Sequence, residues 1–380
     1  MDIGVVRNEI DEIDGELVKL FERRMNASIK IADYKKKNNL PVLSKERERE
    51  VIGRVTDMCD ERLINYTKVL YTTLFAVSRS YQSVYLGESS ALKEDVEDSI
   101  NKYNVLFPEK AIVACQGMEG AYSQQACDRI FKTPNILYFN TFDGVFSAVE
   151  QGMCEYGVLP IENSSAGSVT QVYDLMEKHK FHIAKGMRQK IDHALMGIKG
   201  TDFSKIKEII SHPQGIMQCS QFIEKHPEIK VTTCENTALA AKIVAESNRN
   251  DFAAIASKSC ASIYGLNILN DEISNTNNNY TRFIVISRNL EIYPGANKIS
   301  ISLSLKHQPG VLYTLLSNIA ALDVNLTKLE SRPVVGSDFE FRFHLDLEAS
   351  LTSPNVMQLL CDIQNNSENF AFHGNYLESY

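Results

Sequence analysis

Gly157-Val158-Leu159-Pro160-Ile161-Glu162-Asn163-Ser164-Ser165-Ala166-Gly167-Ser168-Val169 passes from an apolar run into a polar loop and then toward a helical pattern. A short apolar run bounded by turn residues reads as a buried strand, and strand, loop and helix in succession form the repeating unit of an α/β layer. Similar runs occur at 111–115, 136–139, 206–211, 253–256 and 283–287, with helical stretches between most of them. The expected architecture is therefore α/β with a mainly parallel sheet. Residues 162–200 and 270–280 fit two connections between lobes, which would leave a cleft.

The pattern differs on either side. From Val6 to Lys37 there is no proline, and Val6, Ile10, Ile13, Leu17 and Leu20 recur in steps of four and three, the spacing of an amphipathic helix. Such a helix is about 48 Å long, more than a segment ending near residue 88 can cover by itself, so a second copy is expected against it. Further helical patterns at 45–63 and 67–86 make this segment all-helical, with Gly87-Glu88-Ser89-Ser90 closing it. A charged stretch, Lys93 to Asp98, leads to Pro108. After Pro294-Gly295 the order strand, helix, strand, strand, helix, strand is ferredoxin-like. The expected division is 1–90 helical, 91–108 linker, 109–290 α/β and 296–380 a smaller α/β unit.

Composition narrows the class of function. A chain of 380 residues with net charge −8 is a poor nucleic-acid binder. Met1-Asp2-Ile3-Gly4 opens no basic, apolar leader, and no stretch approaches the roughly 18 apolar residues of a membrane span, so a cytoplasmic protein is expected. The eight cysteines form no CxxC pair, which fits reduced thiols better than metal sites or disulfides.

Polar residues cluster in both larger units. Arg24 and Lys35 are eleven residues apart, about 20° on a helix, and face one groove. Arg7 lies about 100° and roughly 25 Å away, so it would reach that groove only in an antiparallel pair of copies. Ser78 and Gln82 form an i, i+4 pair. Arg7, Arg24, Lys35, Pro41, Arg47, Glu48, Ser78 and Gln82 together resemble the all-helical chorismate mutase family. The resemblance implies an intertwined dimer that rearranges chorismate to prephenate. It also implies catalytic Lys35 and Gln82 at the ether oxygen, Arg7 and Arg24 on the carboxylates, and Arg47, Glu48 and Ser78 around the ring. Ser44 stands where the family often has an acid.

Gly117-Met118-Glu119-Gly120-Ala121 follows a strand and precedes a helix, but the next strand reads Leu137-Tyr138-Phe139-Asn140 and lacks the acid that would hold a dinucleotide ribose. A tight turn near a cleft is the simpler reading. Ser211-His212-Pro213-Gln214 repeats the strand-to-helix pattern, with Gln218 on the same face as Ser211 and a helix cap as the alternative for Ser211. Asn278-Asn279-Tyr280-Thr281-Arg282-Phe283 brings amides, a hydroxyl and a guanidinium onto a strand. With Gly117-x-x-Gly120-Ala121-Tyr122-Ser123 and Ala261-x-x-Tyr264-Gly265-Leu266, these segments resemble the prephenate dehydratases. That resemblance implies a two-lobed fold like that of solute-binding proteins and the conversion of prephenate to phenylpyruvate. By the same resemblance Thr281 donates to the departing hydroxyl, Asn163, Ser168 and Gln218 assist, and Ser164 and Ser211 contact substrate. Arg282 pairs either with a substrate carboxylate or within a structural ion pair.

Gln308-Pro309-Gly310-Val311-Leu312 and Glu330-Ser331-Arg332-Pro333 resemble the ACT domains of phenylalanine-sensing enzymes. The implication is phenylalanine bound between paired copies through Gly310, Val311, Leu312 and Asn325, with Glu330, Ser331 and Arg332 in the second motif. The expected function is thus bifunctional: two reactions of phenylalanine biosynthesis under phenylalanine feedback, in a homodimer or homotetramer, with no cofactor and no metal. A two-lobed binder without catalysis would share the fold but has no need of Thr281, Lys35 or Gln82, and a mutase joined to a dehydrogenase fails on the missing ribose acid.

Overall fold

The computed structural model describes residues 2–38, 40, 44–86, 91–306, 308–334 and 340–380; Pro41 and the closing turn at 87–90 lie outside them. The chain forms two compact units. One comprises residues 1–94, 305–323 and 353–368, and the other comprises 95–304, 324–352 and 369–380.

The first unit opens with α1 (Ile3–Lys37), α2 (Lys45–Asp57) and α3 (Ile64–Leu86). Asp2 starts α1 by accepting from the Gly4 N–H at 2.9 Å, and Lys35, Lys36 and Lys37 meet the negative end of the helix dipole in the last turn. The far half of α1 packs against α3: Met25, Ser28 and Ala32 are buried on one helix and Phe75, Ala76, Ser78 and Gln82 on the other. The near half keeps its apolar stripe in the open, with Ile10, Ile13, Leu17 and Leu20 each at least 50% exposed. Where a linker was expected there is a helix, α4 (Ala91–Lys102). Its later part belongs to the second unit, where Val96 is buried and the Ser99 hydroxyl donates to the Leu290 carbonyl at 2.9 Å.

The second unit begins with β1 (Lys110–Gln116), α5 (Tyr122–Ile130), β2 (Thr133–Phe139), α6 (Phe142–Glu150), β3 (Tyr156–Asn163), β4 (Gly167–Ser168), α7 (Thr170–His179) and β5 (His182–Lys190). The chain then builds a second sheet from β6 (His193–Gly197), β7 (Glu208–Ser211), α8 (Pro213–Gln218), α9 (Ser220–Glu224), β8 (Lys230–Thr233), α10 (Thr237–Ser247), β9 (Phe252–Ser257), α11 (Lys258–Tyr264) and β10 (Asn267–Asn270). It returns through β11 (Tyr280–Ser287), which lies antiparallel between β3 and β5. The remaining elements are β12 (Lys298–Ser304), α12 (Val311–Ala320), β13 (Asn325–Pro333), β14 (Phe341–Glu348), α13 (Pro354–Asn366) and β15 (Glu368–Ser379).

The sheets are mixed rather than mainly parallel, because β11 enters the first from the second lobe and β6 pairs antiparallel with both β9 and β10. Residues 162–200 are likewise no simple connection, since they supply α7, β5 and β6. The larger sheet runs β13-β14-β12-β15-β5-β11-β3-β1-β2, joined where Leu377, Glu378 and Ser379 of β15 pair in parallel with Lys185, Gly186 and Met187 of β5. The smaller runs β10-β6-β9-β7-β8. Leu159, Ile284, Ile286, Phe146 and Tyr376 are fully buried in one cluster of the larger sheet. At about 1.5–3 kcal/mol for each large apolar side chain, such burial fixes the register of β3 against β11, which is what positions the polar residues beyond their ends.

Candidate active sites

In the helical unit, Arg24 crosses from α1 to α3. Its guanidinium donates to the Ser78 hydroxyl at 2.5 Å and to the Leu74 carbonyl at 3.4 Å, and lies 5.6 Å from the centre of the Phe75 ring. One turn on, the Gln82 amide donates to the Ser78 carbonyl at 3.1 Å while its buried oxygen has no hydrogen-bond partner among the described residues. A buried amide oxygen left unbonded costs about 1–3 kcal/mol, so the groove presents an acceptor that no described residue satisfies. Burial holds the Lys35 ammonium below the usual lysine range, with Glu48 opposing that shift and Arg79 adding to it. Glu48 is ion-paired with Arg79, a residue the sequence reading did not single out. Two expected contacts are placed elsewhere: Arg47 reaches outward to Glu50 at 2.8 Å, and Arg7 is exposed on the near half of α1. Helix α2 presents Glu48 to α3, and the neighbouring residue one position earlier points away from it.

In the second unit the strand register assembles the site. Thr281 of β11 stands directly opposite Asn163, the last residue of β3. The Asn163 amide donates to the Thr281 hydroxyl at 2.8 Å and to the Asn279 side-chain oxygen at 3.0 Å. Its own oxygen accepts from the N–H groups of Ser165 and Ala166 at 3.0 Å each, and from the Ser165 hydroxyl at 2.7 Å. Asn163, Asn279 and Thr281 are all buried. Ser164 closes the loop onto β11, accepting from the Tyr280 N–H at 2.9 Å. From the other lobe, Gln218 at the end of α8 donates to the Ser165 hydroxyl at 3.1 Å and faces the His193 ring with its oxygen at 2.9 Å. The two glycine-flanked motifs meet as well. The Tyr264 hydroxyl donates to the Glu119 carbonyl at 2.6 Å, and a Cβ on Gly120 would lie 2.9 Å from the Cys260 sulfur, so only glycine allows that approach.

Three expected contributors sit apart from this network. Ser211 is fully buried and donates to the Ile255 carbonyl at 2.7 Å, stitching β7 to β9 inside its own lobe. Ser168 donates to Glu330 and accepts from Lys328, two residues of β13. Arg282, next to Thr281 on a strand whose side chains alternate, points to the opposite face. There it pairs with Asp346, Glu378 and Glu162 and donates to the Tyr376 hydroxyl. The sequence reading left Arg282 between a substrate pair and a structural pair, and its partners are protein carboxylates. On this face Glu162, Arg188, Arg282, Lys298, Lys328 and Asp346 line a cavity of about 220 Å³.

The residues expected to contact phenylalanine are dispersed over two elements. Gly310 precedes α12 and Val311 and Leu312 begin it. On β13, the exposed Asn325 donates to Glu348 at 2.6 Å, Arg332 pairs with Asp174 at 3.1 Å, and Ser331 is exposed. Burial would raise the Glu330 carboxyl, but the Ser168 hydroxyl and the Lys328 ammonium more than offset it and hold the group below its ordinary value.

Comparison with known proteins gives consistent likenesses. Residues 6–83 match the profile of the family described as chorismate mutase type II, and residues 113–291 match that of prephenate dehydratase. A bifunctional chorismate mutase/prephenate dehydratase of Escherichia coli (strain K12) is 31% identical over 368 residues, covering 94% of this chain and 92% of the relative. Among solved structures, the prephenate dehydratase from Arthrobacter aurescens in complex with L-Phe superposes with a TM-score of 0.64 at 27% identity, covering 70% of this chain and 89% of that one. A protein described as GqqA, a novel type of quorum quenching acylase, gives 0.63 at 31% identity, with coverages of 70% and 97%.

Proposed function

The chain belongs to the family of bifunctional chorismate mutase/prephenate dehydratases, and from that premise we propose how its two reactions are divided among its residues. The enzyme rearranges chorismate to prephenate, then decarboxylates and dehydrates prephenate to phenylpyruvate in phenylalanine biosynthesis, under feedback inhibition by phenylalanine. The proposed division follows the sequence: a mutase over 1–90, a helical connection over 91–108, a dehydratase over 109–290 and an ACT domain over 296–380.

The first reaction is pericyclic and needs a folded substrate and positive charge where the ether oxygen becomes negative. Lys35 and Gln82 face that oxygen, and Arg24, already steadied by Ser78, holds a carboxylate. Glu48 and Ser78 orient the ring and its hydroxyl, and Arg47 joins them only on releasing Glu50. Arg7 comes from a second copy, since it lies roughly 25 Å from Arg24 along its own helix. The open apolar stripe of α1 supports that intertwined dimer, and a self-pairing ACT domain would extend it to a tetramer.

In the second reaction a carboxylate leaves as carbon dioxide, its electron pair forms the aromatic ring, and the ring hydroxyl takes up a proton and departs as water. The Asn163 N–H pointing at the Thr281 oxygen is the observation that carries this assignment. It occupies an acceptor site of that oxygen, so the threonine proton is left to point at the leaving hydroxyl, for which a positioned donor is required. Gln218 and Ser164 complete the wall, while Ser211 and Ser168 act indirectly, tying β7 to β9 and β4 to β13. Phenylalanine would bind between paired copies at Gly310, Val311, Leu312 and Asn325, with Glu330, Ser331 and Arg332 forming the second motif. A cytoplasmic location suits the eight free thiols.

The test is a chorismate feed to the full chain. Chorismate should disappear and phenylpyruvate form; prephenate that only accumulates would end the dehydratase assignment. Replacing Thr281 with alanine should lower the dehydratase rate roughly 100-fold or more, the usual worth of a positioned proton donor, and leave the mutase rate unchanged. Equal loss of both rates would mean misfolding instead.

A further inference from the structure

His193 opens β6 at the crossing between the lobes and is 2% exposed. Its main-chain N–H donates to the Ser274 hydroxyl at 3.3 Å, and its ring stands edge-on to Tyr122 with centroids 5.7 Å apart. The Tyr122 hydroxyl has other partners: it donates to the Asp192 carbonyl at 2.7 Å and accepts from the Asp192 N–H at 3.2 Å, leaving the imidazole Nδ1 at 3.4 Å. The imidazole Nε2 faces the Gln218 oxygen at 2.9 Å.

A continuous donor chain runs from this ring to the cleft. Gln218 donates to Ser165, Ser165 donates to Asn163, and Asn163 donates to Thr281. The members are not equally secured. Two main-chain N–H groups fix the Asn163 amide, so its orientation survives any change further up. Among the described residues, the Gln218 side chain has only Ser165 on one side and His193 on the other. A neutral imidazole carries one N–H, and burial lowers the affinity of His193 for a second proton. With the proton on Nε2, the ring donates to the Gln218 oxygen and turns the amide N–H toward Ser165. With the proton on Nδ1, Nε2 becomes an acceptor, the amide reverses, and Ser165 gives its proton to Gln218 instead of Asn163.

We propose that His193 is a positioning residue of the dehydratase reaction, setting the orientation of the Gln218 amide and with it the bridge that closes one lobe on the other through Ser165. This rests on the assignment of the cleft as the prephenate site. Substrate entry must part Gln218 from Ser165, and on each closure the bridge re-forms only if the amide presents its N–H. His193 touches neither Thr281 nor the substrate in this account; it acts through Gln218.

The experiment uses the full chain, so the mutase rate serves as an internal reference. H193F keeps a ring but loses the donor, and H193Q restores an N–H near the Nε2 position. H193F should lower the dehydratase kcat about tenfold, the rate equivalent of one net hydrogen bond, with a smaller change in KM. H193Q should recover most of that rate. In a Q218A background H193F should have almost no further effect, because neighbours acting as one unit are not additive. A full loss in both backgrounds, or no loss in either, overturns the proposal. If Q218A alone keeps the full dehydratase rate, the assignment of Gln218 falls and the role of His193 falls with it; impaired Q218A beside unimpaired H193F removes only the role of His193. Should H193F fail to fold, nitrogen NMR of the unaltered protein decides: the Nε2–H tautomer is required, and an Nδ1–H tautomer refutes it.

Discussion

At the level of single residues, neighbours on one strand have separate tasks. Thr281 and Arg282 adjoin in the sequence, yet strand alternation sends one toward Asn163 and the other into the carboxylates of Asp346 and Glu378. The Asn163–Thr281 pairing was legible because amides and hydroxyls crowd beside an apolar run. The direction of Arg282 was not, since its partners come from β3, β14 and β15, all more than sixty positions away along the chain. The same limit hid Arg79 behind Glu48 and His193 behind Gln218: a single cation or histidine gives no local pattern from which its partner can be inferred. Replacing Arg282 with methionine strands Asp346 and Glu378 without a guanidinium in a buried setting. The expected cost is about 3–5 kcal/mol of stability in the second unit, seen as a lower denaturation midpoint. A change confined to the KM for prephenate would instead make Arg282 a substrate contact.

At the level of elements, periodicity was a good guide where burial is one-sided. The stripe that predicted a helix from Val6 to Lys37 corresponds to α1, Ile3–Lys37. Strands β3 and β9 were visible as unbroken apolar runs because both their faces are largely covered, and β1 reads as such a run although Ile112 is exposed. Strand β5 was missed: Lys185, Arg188 and Lys190 interrupt its apolar positions, and its edges are covered by β11 and β15, which are distant in sequence. In α1 the apolar stripe outruns its partner, which leaves Leu17 54% exposed in one copy. Leu17→Glu should therefore dissociate the pair in sedimentation experiments and reduce the mutase rate at least about tenfold at micromolar protein, while dehydratase activity persists. If the oligomer and both activities are unchanged, the stripe has some other partner.

For the whole molecule, the dominant pH effect should come from histidines held neutral inside the second unit. Burial pushes His344 down to about 4 and His373 to about 3, with the nearby Arg342 cation adding in both cases. Their unfolded value is near 6.5, so between that value and the folded ones the unfolded chain binds more protons. The folded state is therefore progressively disfavoured as pH falls below about 6.5, by roughly 2 kcal/mol for each group at pH 5. The depressed carboxyls of Asp346 and Glu378 work in the same direction only near pH 4 and below, where their ion pairs are lost. Urea titrations between pH 7.5 and 5 should show the midpoint falling before the Asp346 and Glu378 carboxylates are protonated; a flat midpoint would contradict this.

The junction of β15 with β5 also has a consequence for synthesis. Positions 377–379 close an edge of β5, whose paired residues 185–187 were translated some two hundred codons earlier. Until that stretch clears the ribosomal tunnel, β5 presents an open row of amides and carbonyls, the kind of edge that recruits foreign strands. A nascent chain stalled before position 377 should therefore be held by chaperones or aggregate.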